Sequence, residues 1–403
     1  MDQKTINELL FRCLGAIDNE AIATELSQLS TGNWDELIRQ SRRHSVTPLL
    51  YHRIKAIDPT PGIPAQVMQE LRKIYLLSAE SNIKRYNELS KWLRLIQNDG
   101  IPVIVLKGAA LAELVYPNIA LRPMFDVDLL IKAEDFWRID EMLSGAGFKS
   151  DKRILLSKRH IHWVRHIAYM SKAIHLELHP KIYELPNLRP WADVAHAKIA
   201  SVDTLILGPE DLLLHACIHL LDHLYIRGDS SARLIWWCDV AILLEFYQEK
   251  LNWDYVVSVV KEHEVEASMH RVLRATSEWA GSYVPAEFLS QLEGDSVVVS
   301  INDIMNQVQV QSPKTDSLLS YMPFMSGIHS ISDRIYHIFR SFFPCREYMM
   351  DRYALKTSNS VYFYYFIRMG LGVVRALKTL YHLPRHMKSK RSSFQKFRDN
   401  HKK

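Results

Sequence analysis

The sequence predicts an α+β fold, a small mixed sheet framed by helical segments on its N-terminal and C-terminal sides. Three observations carry this. Apolar residues recur at helical spacing over the first hundred residues. Between about 100 and 200 that period gives way to short apolar or alternating runs bounded by turn residues. From Pro209 onward the helical period returns and persists. At 403 residues the chain is too long for one ordinary core. It divides into a helical region (1–100), an α/β core (101–200), a helical domain (201–290) and a C-terminal helical region with a basic tail (291–403).

The elements follow in order. Leu9, Leu10, Cys13 and Leu14 share one helix face, as do Trp34, Leu37 and Ile38, and a long helix runs from about Gln66 to the Asn98-Asp99-Gly100 stop. IPVIVL (101–106) is a β-branched apolar run and reads as a buried strand. Residues 108–116 read as a helix ended by Pro117-Asn118, FDVDLLI (125–131) as a second strand, and 133–143 as a helix. HIAYM (166–170) and AIHLELH (173–179) flank a Ser171-Lys172 turn as a hairpin. Further on, PEDLLLHACIHLLDHLY, RLIWWCDVAILLEFY and WDYVVSVVKEHEVEASMHRVLRATSEWAG fit amphipathic helices. Trp236 to Asp239 read there as core and cap residues.

A hydrophobic share of 48% and a charged share of 24% exclude a disordered chain. The net charge of +5 is uneven: Arg385, Lys388, Lys390, Arg391, Lys396, Arg398, Lys402 and Lys403 face the single acid Asp399, and the body is close to neutral. No aromatic-basic interleaving accompanies that tail, so nucleic acid is not expected as a partner. The four cysteines, Cys13, Cys217, Cys238 and Cys345, form no CxxC pair, which argues against a zinc ribbon or redox dithiol. With no signal-peptide pattern at the start, reduced thiols and a cytoplasmic location are expected. The apolar run at 361–381 is interrupted by Arg368, Arg375 and Lys378, so a packed helix is favoured over a membrane span. The other option is a peripheral membrane or partner contact through the tail.

The chemistry concentrates in residues 105–131 and 173–179. On a strand, Asp126 and Asp128 project from one face roughly 7 Å apart, and Phe125, Val127 and Leu129 from the other, into the core. Two ionised carboxylates against an apolar sheet are costly to desolvate. A divalent cation with oxygen ligands, magnesium or manganese in its place, relieves that cost. A pair of such ions suits a reaction whose attacking and leaving oxygens both carry charge. The same parity puts His175, Glu177 and His179 on one face of the later strand. If that strand neighbours the Asp strand, Glu177 becomes a third acid, bridging a metal or accepting a hydroxyl proton. Its alternative is an exposed carboxylate paired with Lys172 or Lys181. His175 and His179 are then pocket candidates.

Lys107, at the strand-to-helix junction, and Arg122 suit either phosphate oxygens or ion pairs with the aspartates. Gly108 is a tight turn, structural or functional. His215, His219 and His223 share a helix face but lack HExxH spacing, so a packing face is expected, with one histidine near a nucleotide base. His160, His162 and His166 read as surface residues without a role.

LKG (106–108), RPMFDVDLLI with Arg122, the ELH strand and the PEDLLLHACIHLLDH helix together resemble the bacterial nucleotidyltransferase-like family of the polymerase-β-like superfamily, over roughly the first 280 residues. The resemblance implies a minimal nucleotidyltransferase core holding a nucleoside triphosphate, ATP among the candidates, and a divalent metal. Gly108 with Ala109 would form the turn near the triphosphate, Asp126 and Asp128 the metal pair, and Glu177 the third acid. The implied reaction is attack by an acceptor hydroxyl on the α-phosphate, with release of pyrophosphate. The acceptor would be a small molecule, sugar, peptide or protein. Ala109 departs from the usual Gly-Ser or Gly-Gly turn, and the gap from Gly108 to Asp126 is longer than usual. Two other readings therefore stay open: an inactive nucleotide-binding protein, and a helical interaction protein docking through its basic C-terminus.

Overall fold

A computed structural model describes residues 1–292 apart from 17–18, 58–61, 151–160, 162–163, 183–187, 189, 224–232 and 264, together with 362–366 and 370. The expectations for His160, His162, Cys345, most of the 361–381 run and the basic tail lie outside the described residues. The chain divides into two compact units, 1–149 with 165–312, and 150–164 with 313–403. In the second, residues 362–366 are helical and Tyr362, Phe363 and Phe366 are exposed. Among the described residues no helix is long and apolar enough to cross a membrane.

The first unit opens with α1 (Gln3–Leu14), α2 (Asn19–Ser27), α3 (Thr31–Arg43), α4 (Thr47–Ala56) and the 34-residue α5 (Ala65–Asn98). The α/β part follows as β1 (Val103–Val105), α6 (Lys107–Leu114), β2 (Val127–Ile131), α7 (Phe136–Gly145), β3 (Lys149–Ser150), β4 (Ile167–Met170), β5 (His175–His179), β6 (Val194–Ile199) and β7 (Val202–Leu207). Helices α8 (Pro209–Leu221), α9 (Leu234–Tyr247), α10 (Trp253–Glu262), α11 (Glu266–Ala280) and α12 (Ala286–Gln291) complete it. This is the α+β arrangement the period changes imply, a mixed sheet framed by helices. The ends of the unit meet where Phe11 stacks on Trp279 at 4.5 Å. Gly15 is required there, because a Cβ would come within 2.5 Å of the indole.

The sheet has seven strands in the order β3-β4-β5-β2-β1-β7-β6. Strand β1 runs antiparallel to β2 and parallel to β7, and β2 runs parallel to β5. Every residue of β1 and β2 is buried: β1 is the continuous apolar run expected of a buried strand, and β2, read as alternating, buries Asp128 as well. The long α5 holds the segment that feeds β2. Asn82 Nδ2 donates to the carbonyls of Ile119 at 2.6 Å and Arg122 at 2.9 Å, and Ser78 Oγ to that of Ala120 at 2.7 Å. Tyr86 donates to the Ala109 carbonyl at 2.8 Å, tying α6 to the same helix.

Two expectations need correction. The sheet is larger than the strands foreseen: β6 and β7 form a further hairpin that carries it to Leu207. Strand β2 also starts only at Val127, so the alternation fails at Phe125, which is 60% exposed instead of in the core and lies 5.4 Å from the Arg233 guanidinium.

Candidate active site

The site is set by one strand pairing. In the parallel β2–β5 register Asp128 stands opposite Glu177 and Leu130 opposite His179. Residues Val127, Leu176 and Leu178 take the apolar face, so the polar side chains are forced onto the other. Asp128 is buried, and its Oδ1 accepts a hydrogen bond from Lys107 Nζ at 2.7 Å and lies 2.7 Å from His179 Nε2. Lys107 reaches it from the switch between β1 and α6, where its backbone is left-handed at φ 47°. A non-glycine residue held in that region stores backbone strain of about 1–3 kcal/mol.

The strained position is thus Lys107, and the expectation of Gly108 as the turn glycine is corrected: Gly108 lies inside α6 and is not left-handed. Its smallness has another use. A Cβ there would sit 3.1 Å from Arg122 Nη1, so the glycine lets the guanidinium pass beneath the helix. Ala109 beside it is buried. Arg122 itself is buried and bidentate on Asp239, Nε to Oδ1 at 2.7 Å and Nη2 to Oδ2 at 2.8 Å, while Tyr116 also donates to Asp239 Oδ1 at 2.7 Å. Burial opposes the Arg122 charge, but Asp239 outweighs it and leaves the guanidinium more firmly protonated than usual. Of the two options for Arg122, an ion pair is what forms, although with Asp239 and not with Asp126 or Asp128. Asp239 is correspondingly no helix cap: it lies inside α9.

The carboxylates differ in their electrostatics. For Asp128, burial alone would raise the acid, but Lys107 and His179 together hold it well below the ordinary range. For Asp126 the shift is upward, from burial first and then from the neighbouring charges of Asp128 and Glu177. No hydrogen bond or ion pair to the Asp126 side chain occurs among the described residues. Glu177 is lowered, burial being outweighed by His179 and His166, although Asp128 opposes it.

His166 is a residue that sequence reasoning missed. Expected at the surface, it is 31% exposed at the side chain, with Nδ1 3.6 Å from Glu177 Oε2 and its ring 5.3 Å from that of His179. Burial pushes it down to about 4, so it is neutral at neutral pH. The signal was present in the parity of β4, whose Ala168 stands opposite Glu177. One ligand atom each from His166, Glu177 and His179 lie within 4.8 Å of one another. His175 stands at the margin, its Nε2 4.0 Å from Glu177 Oε1. Of the helical histidines, His215 and His219 line a cavity beside Lys107 and Arg122, along with Trp236, and burial holds His219 neutral. His219, His223 and Trp236 pack ring against ring, with centroids 4.2–4.9 Å apart.

The donor set fits an oxygen-preferring divalent cation. Asp128 and Glu177 stand opposite each other on paired strands, and Asp126, just ahead of β2, is raised in part by the charge of both; a cation with oxygen ligands would relieve these carboxylates. A family model described as an uncharacterised nucleotidyltransferase matches residues 30–281, from α3 to the end of α11 and so including all of these side chains. No curated protein and no solved structure matches the chain.

Proposed function

The chain belongs to the uncharacterised nucleotidyltransferase family, and from that premise we propose that it moves an NMP group from a nucleoside triphosphate to a hydroxyl acceptor. The observation that carries the reading is the parallel pairing of β2 with β5, which sets Asp128 against Glu177 beside Asp126 and Lys107. A divalent cation, magnesium or manganese, would be held by Asp126, Asp128 and Glu177, and when bound it supplies charge neutralisation at the reacting phosphate.

The chain's own groups do the rest. Lys107 places an ammonium at the start of α6, where the helix N-terminus also favours phosphate. His179 orients Asp128 through their 2.7 Å contact. Glu177, ionised at neutral pH, takes the proton of the acceptor hydroxyl as its oxygen bonds to the α-phosphorus; the bond from that phosphorus to the β-phosphate oxygen breaks and pyrophosphate leaves. Arg122, held in a bidentate pair by Asp239, shapes the pocket wall instead of contacting phosphate, and His175 lies at the rim. Such a reaction depends mainly on positioning and electrostatics.

The test is thermal unfolding of the full chain with each of the four NTPs, with and without magnesium, together with the Asp126→Asn/Asp128→Asn double variant. A nucleotide at a hundred times its dissociation constant stabilises by about 2.7 kcal/mol. A magnesium-dependent shift lost in the variant, followed by pyrophosphate release with an acceptor, is expected. A shift without pyrophosphate under any acceptor would favour nucleotide binding without turnover. No shift with any nucleotide would overturn the reading.

A further inference from the structure

The transfer reading uses one side of Glu177. Its other side faces two imidazoles: His166, to which that reading gives no task, and His179, to which it gives only the positioning of Asp128. We propose that His166, Glu177 and His179 form a second metal site, selective for a borderline-soft divalent ion of the zinc class and distinct in chemistry from the all-carboxylate corner.

The spacing is close to what such an ion needs. Around a tetrahedral zinc with bonds of about 2.0–2.2 Å, neighbouring ligand atoms lie about 3.3–3.6 Å apart. Here His166 Nδ1 and His179 Nε2 lie 3.6 Å and 3.7 Å from the same oxygen, Glu177 Oε2. The three ligand atoms are therefore gathered before any ion arrives, within 4.8 Å of one another. The scaffold is rigid: Glu177 and His179 are two residues apart on β5, on one face of a central strand, and His166 enters from the start of the antiparallel β4. The side chains of His179 and Glu177 are 6% and 15% exposed, so an ion would be largely desolvated.

Two imidazoles and one carboxylate form a donor set that suits zinc and its neighbours far better than magnesium, which prefers oxygens and keeps its waters. Binding would break one contact, that between His179 Nε2 and Asp128 Oδ1; Asp128 keeps its hydrogen bond from Lys107 Nζ at 2.7 Å. Because Glu177 is common to both corners, zinc occupancy would draw it away from the carboxylate pair.

The site does not depend on the chain being a transferase, and its test separates the two. Tag-free full-length protein, stripped with a chelator, is titrated with zinc by calorimetry and with cobalt by visible absorption. One ion per chain is expected, with cobalt bands of a nitrogen- and oxygen-ligated ion. His166→Ala and His166→Gln should each weaken zinc at least tenfold, keep the melting temperature of the metal-free protein within a few degrees, and keep the magnesium-dependent nucleotide shift. Asp126→Asn should do the reverse, losing that shift and retaining zinc. Zinc affinity unchanged by both His166 variants, or no zinc binding at micromolar concentration, would overturn the proposal.

Discussion

Two cation–carboxylate pairs flank the start of α6, and they are built to opposite ends. In one, three of the five N–H donors of Arg122 are used, two on Asp239 and one on the Pro123 carbonyl at 2.8 Å, and Tyr116 donates to the same carboxylate. In the other, Lys107 donates to Asp128 Oδ1, an oxygen shared with His179, and the acid of nearby Asp126 is raised. In the first pair both carboxylate oxygens of Asp239 are engaged, Oδ1 by Arg122 and Tyr116 and Oδ2 by Arg122. In the second, Asp126 is raised by burial and by the charges of Asp128 and Glu177, an arrangement that a further cation would relieve. Charge type alone does not distinguish structure from chemistry here; saturation does.

The sharpest way to break that contrast is to open the closed pair. Asp239→Ala leaves a buried guanidinium unpaired and should cost about 3–5 kcal/mol, read as a lowered urea midpoint. Asp128→Asn in the open pair keeps an acceptor for Lys107, whose side chain is 20% exposed and can find water. It should cost only about 1–2 kcal/mol while removing the magnesium-dependent nucleotide shift altogether. If Asp128→Asn proves the more damaging to folding, the distinction between the pairs fails. Gly108→Ala tests the wall between them. Its Cβ would press on Arg122 at 3.1 Å, against a guanidinium fixed at three points, for a loss of about 1–2 kcal/mol. Activity should follow stability in that variant, since Gly108 holds no positive φ that alanine would strain.

Much of this geometry was legible in the sequence because period two carries it. Alternation in FDVDLLI and AIHLELH separated Asp128 and Glu177 from Val127, Leu176 and Leu178, and the structure pairs those two strands directly. Where a residue's environment is set by distant chain, the sequence was silent. The partner of Arg122 lies 117 positions away on α9, inside an apolar helix where Asp239 looked like a cap. The β6–β7 hairpin escaped notice for a local reason: its turn residues, Ala200 and Ser201, are both left-handed at φ 52° and 58°, without the Asn-Gly signature that such a turn normally displays. His166 was overlooked although it opens the HIAYM run, because the residues that give it a role lie across the sheet.

The smallest expected effect is also the one of unusual sign. Asp126 has its acid raised by burial and by Asp128 and Glu177, so its ionised form is disfavoured in the folded chain. Above that raised value the charge subtracts from stability. As pH falls through it toward the ordinary value of 3.8, the folded state takes up the proton first and the penalty disappears. Asp126→Asn in metal-free protein should therefore raise the melting temperature at pH 7, and the gain should fade as the pH approaches 4. Saturating magnesium should reverse the order, because the wild-type carboxylate then gains the partner it lacks and the asparagine does not. Melting curves of both proteins across pH 4–8, with and without magnesium, read this directly. A variant less stable than wild type at pH 7 without metal would mean that Asp126 is already satisfied, and that the open pair is as complete as the closed one.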